Sequence, residues 1–331
     1  MPKSPLRLTF ATSDYEHVRD LSMGPIEAEG IELNCLTLQI EEMFYRFINF
    51  NEFDISEISS GKYTSLISQG DDRFVGLPIF PSRVHRQSSV YIRPDGPIKK
   101  AEDLAGKAVG LPEWGQSAAV YSRGWLAHDV GVALNDIRWM QAGVSQAGRK
   151  EKVALNLPAG LSLTPRPDKS LTELLLDGEI DAFLSAHPPE LVEQGDPRIV
   201  RLYEDYQPIE EEYFKRTGIW PIMHLYAIRR PVFEANPWVA MSMVKALTEA
   251  KDRSMARMLD LTACRAPIAW AYDAAAKARA LFGDDFYPYG IEPNRTTLEA
   301  FCLWGFEQGL FHRHLTPEEM FPKEVQSEFK V

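Results

Sequence analysis

Arg83 and Arg86 stand three residues apart in PSRVHRQ, and each can present a guanidinium fork to a carboxylate or simply flank a surface loop. The stretch KAVGLPEWGQSAAVYSRGWL, residues 107 to 126, reads as strand, turn and helix, with Gln116 and Ser117 in the first helical turn. The first backbone N–H groups of a helix lack internal partners and carry partial positive charge, so an exposed start of this kind attracts anions. Either residue can equally be a plain cap. Ser59, Ser60 and Gly61 offer hydroxyls and backbone N–H groups from a second helix start, though the same SSG also makes an ordinary turn. Glu113, just ahead of the helix at Gln116, suits a structural cap; enclosed near another acid, it would hold a raised pKa and donate a proton.

Histidines supply the second group. His224 lies inside the apolar run WPIMHLYAI, where a buried imidazole needs partners for both ring nitrogens. It is either a satisfied core histidine or a functional one. His187 follows the strand-like IDAFLSA, and Tyr15 and His17 follow the first strand in SDYEH, a segment that reads equally as a solvated turn. Nothing in the chain matches a Gly-rich dinucleotide loop, a Walker A loop, a nucleophile elbow or an HExxH zinc site.

The elements that must position these residues alternate. LRLTFA and IELNCLTL read as strands, DISEIS as a short strand running into the SSG helix start, and FVGLPIF and SSVYIRP as extended runs. Helix, strand, turn and helix then recur through IKKAEDLAGKAVGLPEWGQSAAVYSRGWL, which specifies an α/β fold with largely parallel strands. The runs at 88–93 and 218–230 are natural crossings between lobes, giving lobe I as 1–90 plus 225–331 and lobe II as 91–224. A ligand cleft then collects strand-end loops from both. Beyond residue 230 the chain turns helical: Asn236 is the expected N-cap and Pro237 the first helical residue of one helix, and Thr316 with Glu319 forms a capping box for a later turn. Trp270, Tyr272, Phe301, Trp304 and Phe306 give this third enough apolar surface for a core or a subunit interface, and a homo-oligomer is expected.

With 331 residues, 45% hydrophobic and 25% charged, the chain is an ordinary globular protein with room for two domains. Its net charge of −11 disfavours nucleic-acid and anionic-membrane partners while leaving a local arginine cluster free to bind a small anion. Cys35, Cys264 and Cys302 fit no metal spacing or disulfide framework. With no apolar signal core at the start and no window long enough to span a bilayer, a reduced, cytoplasmic location is expected.

Several stretches, in order along nearly the whole chain, resemble one family. AEDLAGKAVGLPE followed by a helix resembles the second-lobe entry of type II periplasmic-binding-protein folds. FVGLPIFPSRVHRQSSVYIR, TGIWPIMHLYAIRR, NPWVA, YPYGIEPNRTTLEAF and EQGL are similar to segments of the 4,5-dihydroxyphthalate decarboxylase family. The resemblance implies a two-lobed type II periplasmic-binding-protein-like α/β fold with a helix-rich C-terminal extension. It also implies conversion of a dihydroxylated phthalate to protocatechuate and carbon dioxide, with no organic cofactor. Two departures stand out: Gln87 follows Arg86 where the family shows Arg-His, and Ala186, His187 and Pro188 replace its Pro-Arg-like loop.

On that resemblance the site needs a base for a phenol, an acid aimed at the ring carbon and cations holding a carboxylate. His224 or His17 is the expected base, and His187 or Glu113 the acid. Arg83, Arg86, Gln116 and Ser117 form the clamp, with Ser59, Ser60, Gly61 and Tyr15 as further contacts. A divalent metal polarising the phenolate stays open. A non-catalytic carboxylate-binding protein or sensor, or another enzyme on this fold, would use the same cleft.

Overall fold

The computed structural model describes residues 4–326. The chain first builds β1 (Leu6–Thr12), α1 (Arg19–Ser22), β2 (Ile31–Thr37), α2 (Ile40–Phe50), β3 (Ile55–Ser59), α3 (Ser60–Ser68) and β4 (Phe74–Arg83). It then crosses into β5 (Val90–Ile92), β6 (Ala108–Leu111), α4 (Ser117–Trp125), β7 (Arg138–Gln141), β8 (Leu163–Pro165), α5 (Leu171–Leu176), β9 (Ala182–Leu184), α6 (Glu190–Glu193), β10 (Val200–Arg201) and α7 (Gln207–Thr217). It returns through β11 (Ile222–Arg229) to α8 (Arg230–Ala235), α9 (Trp238–Met258), α10 (Ala271–Phe282) and α11 (Arg295–Glu307).

Two sheets result, ordered β2-β1-β3-β11-β4 and β10-β5-β9-β6-β7-β8. β1 runs parallel to β2 and β3, and β6 parallel to β7 and β9. The expectation of largely parallel strands fails where the chain changes sheet: β11 inserts antiparallel between β3 and β4, and β5 pairs antiparallel with β9 and β10. A strand that re-enters a finished sheet from its partner arrives from the far end, so it runs against its neighbours. This insertion places His224 directly opposite Ser59 on one side and Ser82 on the other.

β3 is buried along its whole length, as a strand covered on both faces must be, and its last residue Ser59 takes extended geometry at the head of α3. Gln116 does the same for α4. α2 buries Met43, Phe44 and Phe47 and leaves Tyr45 and Phe50 outside. The Thr316–Glu319 capping box forms as expected, but Asn236 does not cap α9, which begins at Trp238 with Pro237 ahead of it.

The C-terminal third does not belong to lobe I alone. Leu298 and Cys302 of α11 enter the core of the first sheet, while Phe301 and Trp304 pack with the second, Phe301 stacking on Tyr121 at 5.1 Å. α11 therefore clips the two lobes together. Trp270 and Phe306, by contrast, stay exposed. Gly124 of α4 sits so close to the Trp304 ring that a Cβ would come within 2.1 Å of it. Gly124→Ala should therefore cost about 1–3 kcal/mol of stability through overpacking, read as a lowered urea midpoint with an unchanged far-ultraviolet dichroism spectrum.

Candidate active site

A cavity of about 500 Å³ lies between the sheets. Ile40, Phe44, Ile48, Leu66 and Val153 give it an apolar wall, while Arg86, Lys62, Arg149, Lys152, His187 and His224 bring positive or titratable groups to it. Both helix starts reach it, α3 through Ser59 and α4 through Gln116, Ser117 and Ala118.

The two starts meet face to face. Ser117 Oγ accepts from the Gly61 backbone N–H at 2.9 Å and donates to the Met223 carbonyl at 2.7 Å. Its one proton is then spoken for, so the 3.0 Å contact between the two hydroxyls has Ser59 donating to Ser117. Only glycine fits at position 61, since a Cβ there would lie 2.6 Å from the Gly115 carbonyl oxygen. Ser60 and Gly61 are thus packed behind the cavity wall rather than on it.

His224 lines the cavity and is oriented from behind. Its Nδ1 lies 2.6 Å from Glu57 Oε1, a carboxylate with no solvent exposure, which leaves Nε2 for the cavity side. Glu57 also accepts from the Tyr15 hydroxyl at 2.7 Å and from the Ser13 backbone N–H at 3.1 Å. Phe44 meets the imidazole edge-on, with centroids 4.9 Å apart. A carboxylate behind Nδ1 fixes the tautomer in which the other nitrogen can accept a proton, and it stabilises the imidazolium once formed. Tyr15 acts through Glu57 and does not itself line the cavity.

The two arginines of PSRVHRQ part company. Arg83 points into the core, donating to the Trp220 and Pro288 carbonyls and to Asn294 Oδ1, with its guanidinium 4.8 Å from the Trp220 ring. It leaves the expected clamp, because its two terminal nitrogens are taken by the segment before β11 and the turn before α11, and its side chain does not line the cavity. Arg86 lines the cavity, yet Nε and Nη2 reach only the Met223 sulfur, at 3.2 and 2.6 Å, and Nη1 stands 3.5 Å from Ser89 Oγ. Among the described residues no carboxylate lies within ion-pair distance of it, and burial pushes its pKa down to about 10. Gln87 accepts from the Arg86 backbone N–H at 3.2 Å and does not reach the cavity.

Glu113 also needs correcting as a proton donor. It is fully buried behind the cavity wall, 2.7 Å from Arg149, 3.2 Å from Lys152 and 3.3 Å from Lys62. Burial by itself would raise its pKa, but Lys62, Arg149 and Lys152 outweigh that and hold it below the ordinary glutamate value. It is ionised and has no proton to give. His17 packs between Tyr15 and Tyr287, outside the cavity, and burial lowers its pKa to about 4. It is not placed to receive a proton from a ligand there. His187 stands on the rim, exposed, with its backbone carbonyl fixed by Ser185 Oγ at 2.6 Å.

Glu57, Lys62, Arg149 and Lys152 were not singled out in the sequence. Two of them carried a signal. Glu57 is a lone acid in the otherwise uncharged strand ISEIS, and Lys62 places a cation in the first turn of a helix, where the helix dipole opposes it. Among the described residues no group of three His, Cys, Asp or Glu gathers as a metal site, and no helix is long and apolar enough to cross a membrane.

A 4,5-dihydroxyphthalate decarboxylase of Comamonas testosteroni is 33% identical over 329 residues, 99% of this chain and the whole of that protein. The chain belongs to the 4,5-dihydroxyphthalate decarboxylase family. As a member it is a carboxy-lyase. A second relative of the same name, from Pseudomonas putida, is 33% identical over 211 residues, 63% of this chain and 82% of that protein. No protein-family model matches. The periplasmic aliphatic sulphonate binding protein SsuA of Escherichia coli is similar in structure, with a TM-score of 0.53 at 14% identity over 99% of this chain and 95% of that one. The fold of this decarboxylase family member is therefore the two-lobed periplasmic-binding-protein fold.

The contrast between the arginines is directly measurable. Arg83→Met should destabilise by about 3 kcal/mol, since it strands buried acceptors. Arg86→Met should stay within about 1 kcal/mol of the parent or exceed it, since an unpaired buried charge is replaced by an apolar chain. Urea unfolding of the two variants side by side checks both.

Proposed function

We propose that this chain removes one carboxylate from 4,5-dihydroxyphthalate, giving protocatechuate and carbon dioxide, and that it does so in the cytoplasm. One juxtaposition carries the reading: a buried guanidinium without a carboxylate partner, Arg86, faces the same cavity as an imidazole oriented by a buried carboxylate, His224 on Glu57.

Direct loss of carbon dioxide from an aromatic ring would leave an aryl carbanion. In this substrate each carboxylate is para to a hydroxyl, which opens another route. His224 Nε2 takes the proton of that hydroxyl, and Glu57 stabilises the imidazolium. Electron density moves to the carbon bearing the carboxylate, which accepts a proton and becomes tetrahedral. Its bond to the carboxylate then breaks, the electron pair returns to the ring, and carbon dioxide leaves. The ring is its own electron sink, so no organic cofactor is called on.

The carboxylate that stays belongs on Arg86, with the helix starts at Ser59 and Gln116 adding partial positive charge. The one that leaves belongs against Phe44, Ile40 and Leu66. Its charge disappears in the transition state, and a salt bridge to it would stabilise the reactant instead.

Incubation with 4,5-dihydroxyphthalate should release carbon dioxide and protocatechuate in equal amounts. Binding without release would assign the cavity to carboxylate capture. His224→Ala should lower kcat at least ~100-fold, and Glu57→Gln at least ~10-fold with KM changed little, because the second variant keeps the ring but removes its counter-charge. Wild-type turnover in both would remove the imidazole from the mechanism. Repeating the wild-type assay after chelation, with and without added divalent metal, shows whether a cation on the catechol oxygens takes part.

A further inference from the structure

We propose that Lys62 delivers the proton to the ring carbon that loses carbon dioxide, a reading that rests on decarboxylation of a dihydroxylated aromatic carboxylate in this cavity. The donor must be protonated, must reach the ring, and must be able to give its proton up. Arg86 and Arg149 fail the last condition, because both guanidiniums stay charged near neutral pH, Arg86 included although burial lowers it to about 10. Glu113 is ionised, and His187 lies on the exposed rim.

Lys62 meets all three. It sits one turn beyond Ser59, the residue that faces His224 across β3 and β11, and its side chain lines the same cavity with 11% exposure. Its ion-pair partner is Glu113, whose Oε2 lies 3.3 Å away without accepting a well-formed hydrogen bond from any described group. Glu113 Oε1 is already taken by Arg149 and Lys152. An ammonium has three N–H groups, and this arrangement occupies at most one of them, leaving the others for a ligand. Burial lowers the Lys62 pKa; Lys152 adds to that effect, while Glu113 and Glu151 oppose it. Its place in the first turn of α3 works in the same direction as burial. The Glu113 carboxylate thus keeps Lys62 protonated at rest, and its surroundings favour release once the ring carbon becomes basic.

The step balances. Lys62 Nζ–H breaks and a ring C–H forms, using the electron pair that deprotonation of the para hydroxyl pushed onto that carbon. The C–C bond to the carboxylate then breaks, its pair restores the phenolate, and His224 returns the hydroxyl proton. The neutral amine regains a proton from water, so each turnover consumes one solvent proton, as replacement of a carboxylate by hydrogen requires.

Lys62→Arg keeps the charge and removes the donor. It should lower kcat at least ~100-fold while phthalate, which lacks the hydroxyls, still binds within about threefold of wild type by calorimetry. Primary alkylamines added to Lys62→Ala should restore part of the turnover. In the wild type, kcat should fall along an alkaline limb whose midpoint lies below that of an ordinary lysine, set by the groups facing Lys62: Glu113, Glu151, Arg149, Lys152 and His224. That limb needs no variant to fold. Near-wild-type kcat in Lys62→Arg, absence of amine rescue in a Lys62→Ala protein that binds phthalate, or a flat alkaline profile each overturns the assignment. Wild-type protein that releases no carbon dioxide removes the decarboxylation reading itself, whereas wild-type turnover matched by Lys62→Arg removes Lys62 alone.

Discussion

Glu113 is the joint on which the cavity depends. It is a fully buried carboxylate from the second lobe, and it draws Lys62 from the first lobe and Arg149 and Lys152 from its own lobe onto one point. Arg149 also reaches back across the cleft to Glu41 at 3.1 Å. Removing such a carboxylate would leave like charges facing each other in a poorly solvated site, so the lobes, the cationic wall and the position of Lys62 stand or fall together. The helix starts of α3 and α4 are pinned at the same seam through Ser59, Gly61 and Ser117.

Around that joint the molecule divides its charges by role. Ions enclosed by protein groups hold structure: Glu113 sits among three cations, and Arg83 has carbonyls, an amide and an aromatic face, although Oε2 of Glu113 and Nε of Arg83 make no hydrogen bond. Incompletely satisfied ions face the cavity, Arg86 on a thioether and Lys62 on one long contact. Buried charges are ordinarily paired, so a cation that lines the cavity without a full set of partners is where a ligand can complete the set. Glu57 sits between the two classes, fully used by Tyr15, Ser13 and His224, and it acts through the imidazole it orients.

Much of this was legible in the sequence. Alternating strands and helices gave the α/β class, the capping box at Thr316 formed, and strand-end reasoning brought His224, His187, Arg86, Gln116, Ser117 and Ser59 to one cavity. What failed depended on partners far along the chain. Arg83 and Arg86 share residue type and local setting; Asn294, Pro288 and Trp220 claim one, and only Met223 and Ser89 meet the other. The protonation of Glu113 is set by residues 62, 149 and 152, which no local spacing links. Lys62 was the missed signal that local rules can detect, since a cation in the first turn of a helix breaks a rule, and something else must compensate for it.

The most direct measurement is a crystal structure with phthalate, which carries both carboxylates but has no hydroxyl to start the reaction. One carboxylate should bond to Arg86 and the other lie against Phe44 and Leu66, with the far ring edge toward His224 Nε2. Phthalate bound with both carboxylates on Arg149 and Lys152, leaving Arg86 on Met223 and Ser89, would contradict that placement.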